Sequence, residues 1–341
     1  MADDSWEAVL PAMLASAGIA VHGRIDVEPL TGGVSSDIVG IRLGDGRLLC
    51  AKRALRKLKV AGDWQAPLER NHYEIAWLRR AGTIVPGAAP KVLAEDREHG
   101  IALLEYLPPE AFALWKSELL AGRADPDVPV AVAEALGRIH AATLFDEDVA
   151  REFPTDHLID ALRLDPYLRF TAGRHPSLSR RILGVLATTA ATKMALVHGD
   201  VSPKNILVSR RDGHPVLLDA ECAWYGDPAF DGAFCLNHLL LKSVHMPALA
   251  GRLLDQAGQF SVRWAAHFPA DLREGLSSRT AALLPCLMLA RVDGKSPVEY
   301  LAAGRQQLVR EIAMPLIAQP ADAVEDVVDA VAAGVGRHGE R

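Results

Sequence analysis

Asp200, Asn205 and Asp219 stand out in the stretch Leu196–Asp231, LVHGDVSPKNILVSRRDGHPVLLDAECAWYGDPAFD, because each offers a hard oxygen of the kind that holds magnesium. Apolar Ala195 to Val197 predicts a short buried strand that runs into the small, polar loop His198-Gly199-Asp200. Ile206 to Val208 and Val216 to Leu218 predict two further strands. Arg211-Asp212-Gly213 between them is a turn signal, so the pair reads as a hairpin. Folding that hairpin back returns Asp219 to the level of Asn205. Converging oxygens suit phosphoryl transfer from a nucleoside triphosphate. Two of them would hold magnesium on the phosphates, and Asp200 would accept the proton of an attacking hydroxyl. Asn205 taken alone is ordinary loop chemistry; the three together are a site.

The interval from Asp200 to Asn205, with Asp219 one hairpin later, matches the catalytic loop and metal aspartate of kinases. Gly199 stands where protein kinases carry arginine, and Ser202 where they carry lysine. HGD with asparagine five residues after the aspartate, followed by LLDAECAWYGDPAFD, resembles the aminoglycoside phosphotransferase family of small-molecule kinases. Asp219-Ala220-Glu221 fits the DxE metal motif of its methylthioribose-kinase-like subgroup. The resemblance implies an α+β, protein-kinase-like fold of two lobes: an N-terminal antiparallel sheet with one helix, and a mainly helical C-terminal part. It implies ATP and Mg2+ as cofactors, Asp200 as base, Asn205 and Asp219 as metal ligands, and Glu221 assisting them. His198 and Asp231 are assigned to structure, with Asp231 bracing the catalytic loop through backbone hydrogen bonds. Trp224 and Tyr225 read as packing residues.

Several upstream elements must position the rest. Ser5 to Ala17 predicts an amphipathic helix closed by Gly18. Ile25 to Leu30, Asp37 to Leu43 and Arg47 to Arg53 predict strands, with Gly44-Asp45-Gly46 as the second turn. The first turn, Thr31 to Ser36, carries Gly32, Gly33, Ser35 and Ser36, whose amides and hydroxyls suit a phosphate. By position it is the loop with which the resembled family covers its nucleotide. Lys52 shares a strand face with Cys50 and Leu48 and would bridge donor phosphates. Pro67 to Arg80 predicts a helix ended by Gly82. On it Glu74 borders the apolar stripe and Glu69 does not, so Glu74 is the expected partner of Lys52. After the strand Ile101 to Leu104, Glu105, Tyr106 and Leu107 lead to Pro108-Pro109. The resemblance makes this the inter-lobe connection that reads the adenine edge, dividing the chain into 1–107 and 108–341.

Downstream, Val128 to Thr143 predicts a helix whose His140 reads as a satisfied core histidine, and Phe234 to Lys242 is apolar and ends in a basic residue. Ala281 to Leu289 is an apolar run interrupted by Pro285. It delivers Arg291, Asp293 and Lys295 into a glycine and proline loop, where they are candidates for acceptor binding. After the catalytic segment the chain is expected to be helical to its end; the stretch from Pro320 is alanine-rich, and its tail is expected to fray.

With 341 residues, 50% of them hydrophobic, the chain can fill two cores, and a net charge of -6 gives no footprint for nucleic acid. No run is long enough to span a bilayer and the acidic start lacks a signal-peptide pattern, so a cytoplasmic enzyme without a membrane partner is expected. Cys50, Cys222, Cys235 and Cys286 form no CxxC pair and give no zinc site; Cys222 reads as a small buried hydrophobe. The expected activity is ATP-dependent phosphorylation of a small hydroxyl acceptor, a sugar or sugar-like alcohol. Phosphorylation of an antibiotic is the alternative. It is disfavoured because Arg291 and Lys295 would repel polycations. A pseudokinase binding module is disfavoured by the full set of catalytic side chains.

Overall fold

Alternating apolar residues in the first 105 positions build a five-stranded antiparallel sheet in the order β1-β2-β3-β5-β4. The strands are β1 (Ile25–Pro29), β2 (Ser36–Leu43), β3 (Leu48–Ala54), β4 (Val92–Asp96) and β5 (Ile101–Glu105). This computed structural model describes residues 5–30, 36–55 and 67–339. One sheet face buries Val39, Ile41, Leu49, Ala51, Ile101 and Leu103 under α1 (Trp6–Ser16), which contributes Leu10, Met13 and Leu14. Side chains alternate across a strand, so Cys50 and Lys52 of β3 point the other way, toward α2 (Arg70–Ile84).

The predicted and observed bounds of α2 differ for a physical reason. Gly82 does not stop the helix, because Ala81 beside it is buried and packing outweighs the roughly 1 kcal/mol cost of a helical glycine. Pro86 does stop it: Val85, just before the proline, is extended at φ -128, ψ 93.

Beyond the sheet the chain is largely helical. Two small antiparallel sheets interrupt it: β6 (Phe112–Leu114) with the β8 (Ile206–Ser209) and β9 (Pro215–Leu217) hairpin, and β7 (Ala195–Val197) with β10 (Trp224–Gly226). A central helix, Ala229–His245, is buried along nearly its whole length. A long helix, Ala270–Asp293, packs against it and runs unbroken through Pro285, at a site where Leu283 to Ala290 are all buried. The proline costs about 3 kcal/mol in a helix interior, and burial of its neighbours offsets that. The alanine-rich end is helical, as expected for the chain after the catalytic segment. Val324–Gly339 is a helix, because Val324, Val327, Val331 and Val335 repeat at three and four residues and are all buried.

Candidate active site

Two groups of side chains make up the site. The first surrounds Lys52, which lies between Ile38 of β2 and Ala102 of β5 and is only 5% exposed. Its Nζ stands 2.8 Å from both oxygens of Glu74, 2.5 Å from Asp219 Oδ1 and 3.3 Å from Glu221 Oε1. Glu69, the carboxylate set aside in the sequence, instead faces His157 at the surface. Glu221 is fixed further by Ser36, whose Oγ donates to Oε1 at 2.8 Å, and by Arg70, whose Nε donates to Oε2 at 3.1 Å. Gly32, Gly33 and Ser35 lie outside the described residues.

Electrostatics follow from this crowding. Burial disfavours the charge on Lys52, but Asp219, Glu74 and Glu221 outweigh it and hold the ammonium well above its ordinary pKa. Asp219 is likewise buried, yet Lys52 and Lys204 keep it below the usual carboxylate range. Glu74 goes the other way. Burial first, then the two neighbouring carboxylates, push it up to about 7 despite Lys52. Glu74, Asp219 and Glu221 each present an oxygen within 4.8 Å of the others. A divalent cation fits this donor chemistry, because hard carboxylate oxygens outnumber the cations that neutralise them.

The second group is the loop between β7 and β8. His198 and Gly199 donate their backbone N–H groups to Asp231 at 2.7 and 2.8 Å, so the base of the central helix holds the loop. His140 donates to the same carboxylate at 3.1 Å and accepts from Trp264 at 3.0 Å, which satisfies both of its ring nitrogens inside the core. His198 is neutral: burial lowers its pKa, its Nδ1 accepts from Asp200 N, and its Nε2 donates to Leu218 O. Gly199 has φ +79, and a Cβ there would stand 2.6 Å from the Cys222 carbonyl oxygen, so no side chain fits.

Asp200 is 2% exposed, and its two oxygens are used unequally. Oδ2 accepts from Arg163 Nη2 at 2.8 Å, Lys204 Nζ at 2.9 Å and Asn205 Nδ2 at 2.8 Å. Among the described residues Oδ1 has only Ser202 Oγ at 3.5 Å. Burial would raise the pKa of this carboxyl, but the charges of Arg163 and Lys204 overcome that and hold it below its ordinary value. Asn205 spends its amide N–H groups on Asp200, which leaves its Oδ1 as the atom suited to a metal. The hairpin is closed by Leu218 N donating to Asn205 O at 2.8 Å, and Asp219 turns off its end with φ +65. That left-handed backbone costs about 1–3 kcal/mol and aims the carboxylate at Lys52.

Other residues singled out in the sequence fall elsewhere. Glu105 ends β5 and is exposed, with Tyr106 and Leu107 partly buried just after it. Arg291 is held by Tyr167 Oη at 3.1 Å and by Ser296. Asp293 is locked between His175 at 2.9 Å and Arg310 at 2.8 Å, and Lys295 pairs with Asp165 at the surface. No hydrogen bond or ion pair among the described residues joins these three to Asp200. Arg163, Lys204 and Arg70 were not singled out by sequence reasoning. Arg70 lies four residues before Glu74, hence on its face of α2, and that spacing was a usable signal.

Residues 26–268 match the model of the phosphotransferase enzyme family. Methylthioribose kinase of Pectobacterium atrosepticum is 26% identical over 303 residues, covering 71% of this chain and 74% of that protein. The enzyme of the same name from Erwinia tasmaniensis is 24% identical over 259 residues and covers 63% of each. Among solved structures, an amicoumacin kinase in complex with AMP-PNP and Ca2+ aligns with a TM-score of 0.56 at 13% identity, over 93% of this chain and 95% of that one. Plasmodium vivax ethanolamine kinase aligns at 0.53 with 11% identity, over 92% and 81%. Those two carry the fold, which is kinase-like. With most of its length matched by the family model, the chain belongs to the phosphotransferase enzyme family.

Proposed function

We propose that this chain transfers the γ-phosphoryl group of ATP to a hydroxyl of a small polar metabolite, a sugar or sugar-like alcohol. The observation that carries the reading is the asymmetry of Asp200. Its Oδ2 is saturated by Arg163, Lys204 and Asn205, which fixes the carboxylate and keeps it ionised, while Oδ1 remains for the acceptor hydroxyl. The methylthioribose kinases among its relatives, whose name specifies a sugar acceptor, support the acceptor class.

On this reading Lys52, oriented by Glu74, exchanges its contact with Asp219 for the donor phosphates. Ser36, tied to Glu221, borders the same space. Asn205 Oδ1, Asp219 and Glu221 would hold magnesium, which neutralises charge on the phosphates. Backbone groups of Glu105, Tyr106 and Leu107 would meet the nucleotide base, at the junction between an N-terminal lobe, 1–107, and a C-terminal lobe, 108–341.

ADP release measured against a panel of sugars, polyols and amino alcohols tests the activity. Asp200→Asn should reduce transfer by roughly 10²- to 10⁴-fold while ATP binding, followed by calorimetry, survives. Turnover within a few-fold of the wild type would remove Asp200 from its role.

A further inference from the structure

Four residues on the central helix share one face: Asp231, Phe234, His238 and Lys242 follow at intervals of three and four. The stripe starts at the catalytic loop, since Asp231 binds the loop backbone and the Arg163 guanidinium that holds Asp200 lies 5.9 Å from the Phe234 ring. Phe234 meets His238 at 5.5 Å, and one turn further on is Lys242. Lys242 is 1% exposed, and among the described residues its ammonium has no hydrogen-bond or carboxylate partner. Its nearest charged surroundings repel it: Lys116 and Arg291 both act to discharge it, and so does burial, which comes first. His238, 7% exposed, faces Lys242, Arg291, Lys204 and Lys116 and has no acid partner among the described residues either.

A buried, uncompensated cation is costly and is tolerated where a ligand completes it. Two neighbours are poised in the same way. Arg291 spends Nη1 on Tyr167 and Ser296, which leaves its buried Nε without a partner among the described residues. Among the described residues the Tyr300 hydroxyl is also buried without a partner, and its ring lies 5.1 Å from Lys242 Nζ. Burial pushes that phenol up to about 12, so it remains a donor. Every unsatisfied group named here can donate a hydrogen bond, and none is a carboxylate.

We propose that Lys242, Arg291 and Tyr300, with His238 beside them, form an oxyanion subsite for the acceptor, so that the substrate carries a carboxylate or a phosphate in addition to its reacting hydroxyl. This rests on the kinase reading above and narrows its substrate class. Lys204 links the two ends, because it binds Asp200 and also lies among the charges that face His238. The stripe is the opposite of what a cationic amino alcohol or aminoglycoside would need.

Calorimetric titration of the full-length protein with malonate and with inorganic phosphate, each in the presence of Mg2+ and AMP-PNP, tests the subsite independently of turnover. Lys242→Met, close in size and uncharged, should weaken binding of one or both at least tenfold, and Lys242→Arg should recover part of it. Preference for malonate or for phosphate separates a carboxylate from a phosphate group. Turnover of matched pairs, gluconate with sorbitol and glucose 6-phosphate with glucose, provides the second arm. The anionic member should have the higher kcat/KM by tenfold or more, and Lys242→Met should erase that preference by raising KM. If neither anion binds, or Lys242→Met binds both like wild type, the proposal is overturned. Transfer that favours only neutral or cationic acceptors also overturns it while sparing the kinase reading. Lys242-dependent binding with no transfer to any acceptor spares the subsite and overturns the kinase reading.

Discussion

Arg163 Nη2 lies 2.8 Å from Asp200 Oδ2, while Arg163 Nε donates to the carbonyl of Gly199 at 2.9 Å, so one guanidinium grips both the proposed base and the backbone beside it. Its charge is one of the two that keep Asp200 ionised against burial. Arg163→Met should raise the Asp200 pKa. The base is active when deprotonated and is lost as pH falls through that pKa, so the acid limb of kcat/KM moves to higher pH in the variant. A pH profile with an unmoved acid limb would show that Arg163 only packs.

Lys52 and Glu74 form a buried pair with both carboxylate oxygens at 2.8 Å. Lys52→Met and Glu74→Gln should each lower kcat/KM, and the double variant should lose less than the sum. A coupling of about 0.5–3 kcal/mol is expected for residues in contact. Strict additivity would mean that Asp219 or Glu221 is the partner that matters.

Asp219→Asn removes one charge from the carboxylates around Lys52. The variant should lose most of the enhancement that magnesium gives to ATP binding, because the amide cannot offset the cation's charge. Calorimetry with and without magnesium reads this directly. Full retention of the enhancement would place the ion elsewhere.

Lys242 supplies a stability test with a defined sign. Burial first, then Lys116 and Arg291, lower its pKa from 10.5 to about 8. Below pH 8 the group is charged in both folded and unfolded chains and the penalty is present in full. Between pH 8 and 10.5 only the unfolded chain keeps the proton, so stability rises with pH across that window. The gain is roughly 3 kcal/mol at 1.36 kcal/mol per unit. Denaturant unfolding of wild type against Lys242→Met should show it as a difference that shrinks as pH rises. A pH-independent difference would mean that folding leaves the lysine's pKa at its ordinary value.

The sequence made some of this legible because local rules decide it. Alternation along β3 determines that Lys52 leaves the α1 face, and one hairpin turn places Leu218 beside Asn205 with Asp219 next. The helical repeat separates Glu74 from Glu69 on α2. Arg163 was out of reach because it belongs to a π-helix, Asp160–Arg169, with Pro166 inside it. In such wide turns the 3.6-residue period no longer indicates which way a side chain points. Lys204 was passed over in favour of Ser202, although four residues is a span that a long lysine side chain bridges in a tight 3₁₀ turn. The burial of Lys242 was hidden for a different reason: an apolar run ending in lysine is usually a helix emerging into water, and only tertiary packing shows that this one does not emerge.

Because Asp231 anchors the loop that carries Asp200 and Lys242 lies eleven residues further along the same rigid rod, the central helix would act as a ruler between the proposed base and the proposed subsite. At about 1.5 Å of rise per residue the two marks are roughly 16 Å apart along its axis. A basic residue moved by one turn would reset the reach by about 5.4 Å without disturbing the loop at the other end. A relative in this family could therefore exchange short acceptors for long ones by relocating a single side chain on this helix, with its phosphoryl-transfer chemistry left in place.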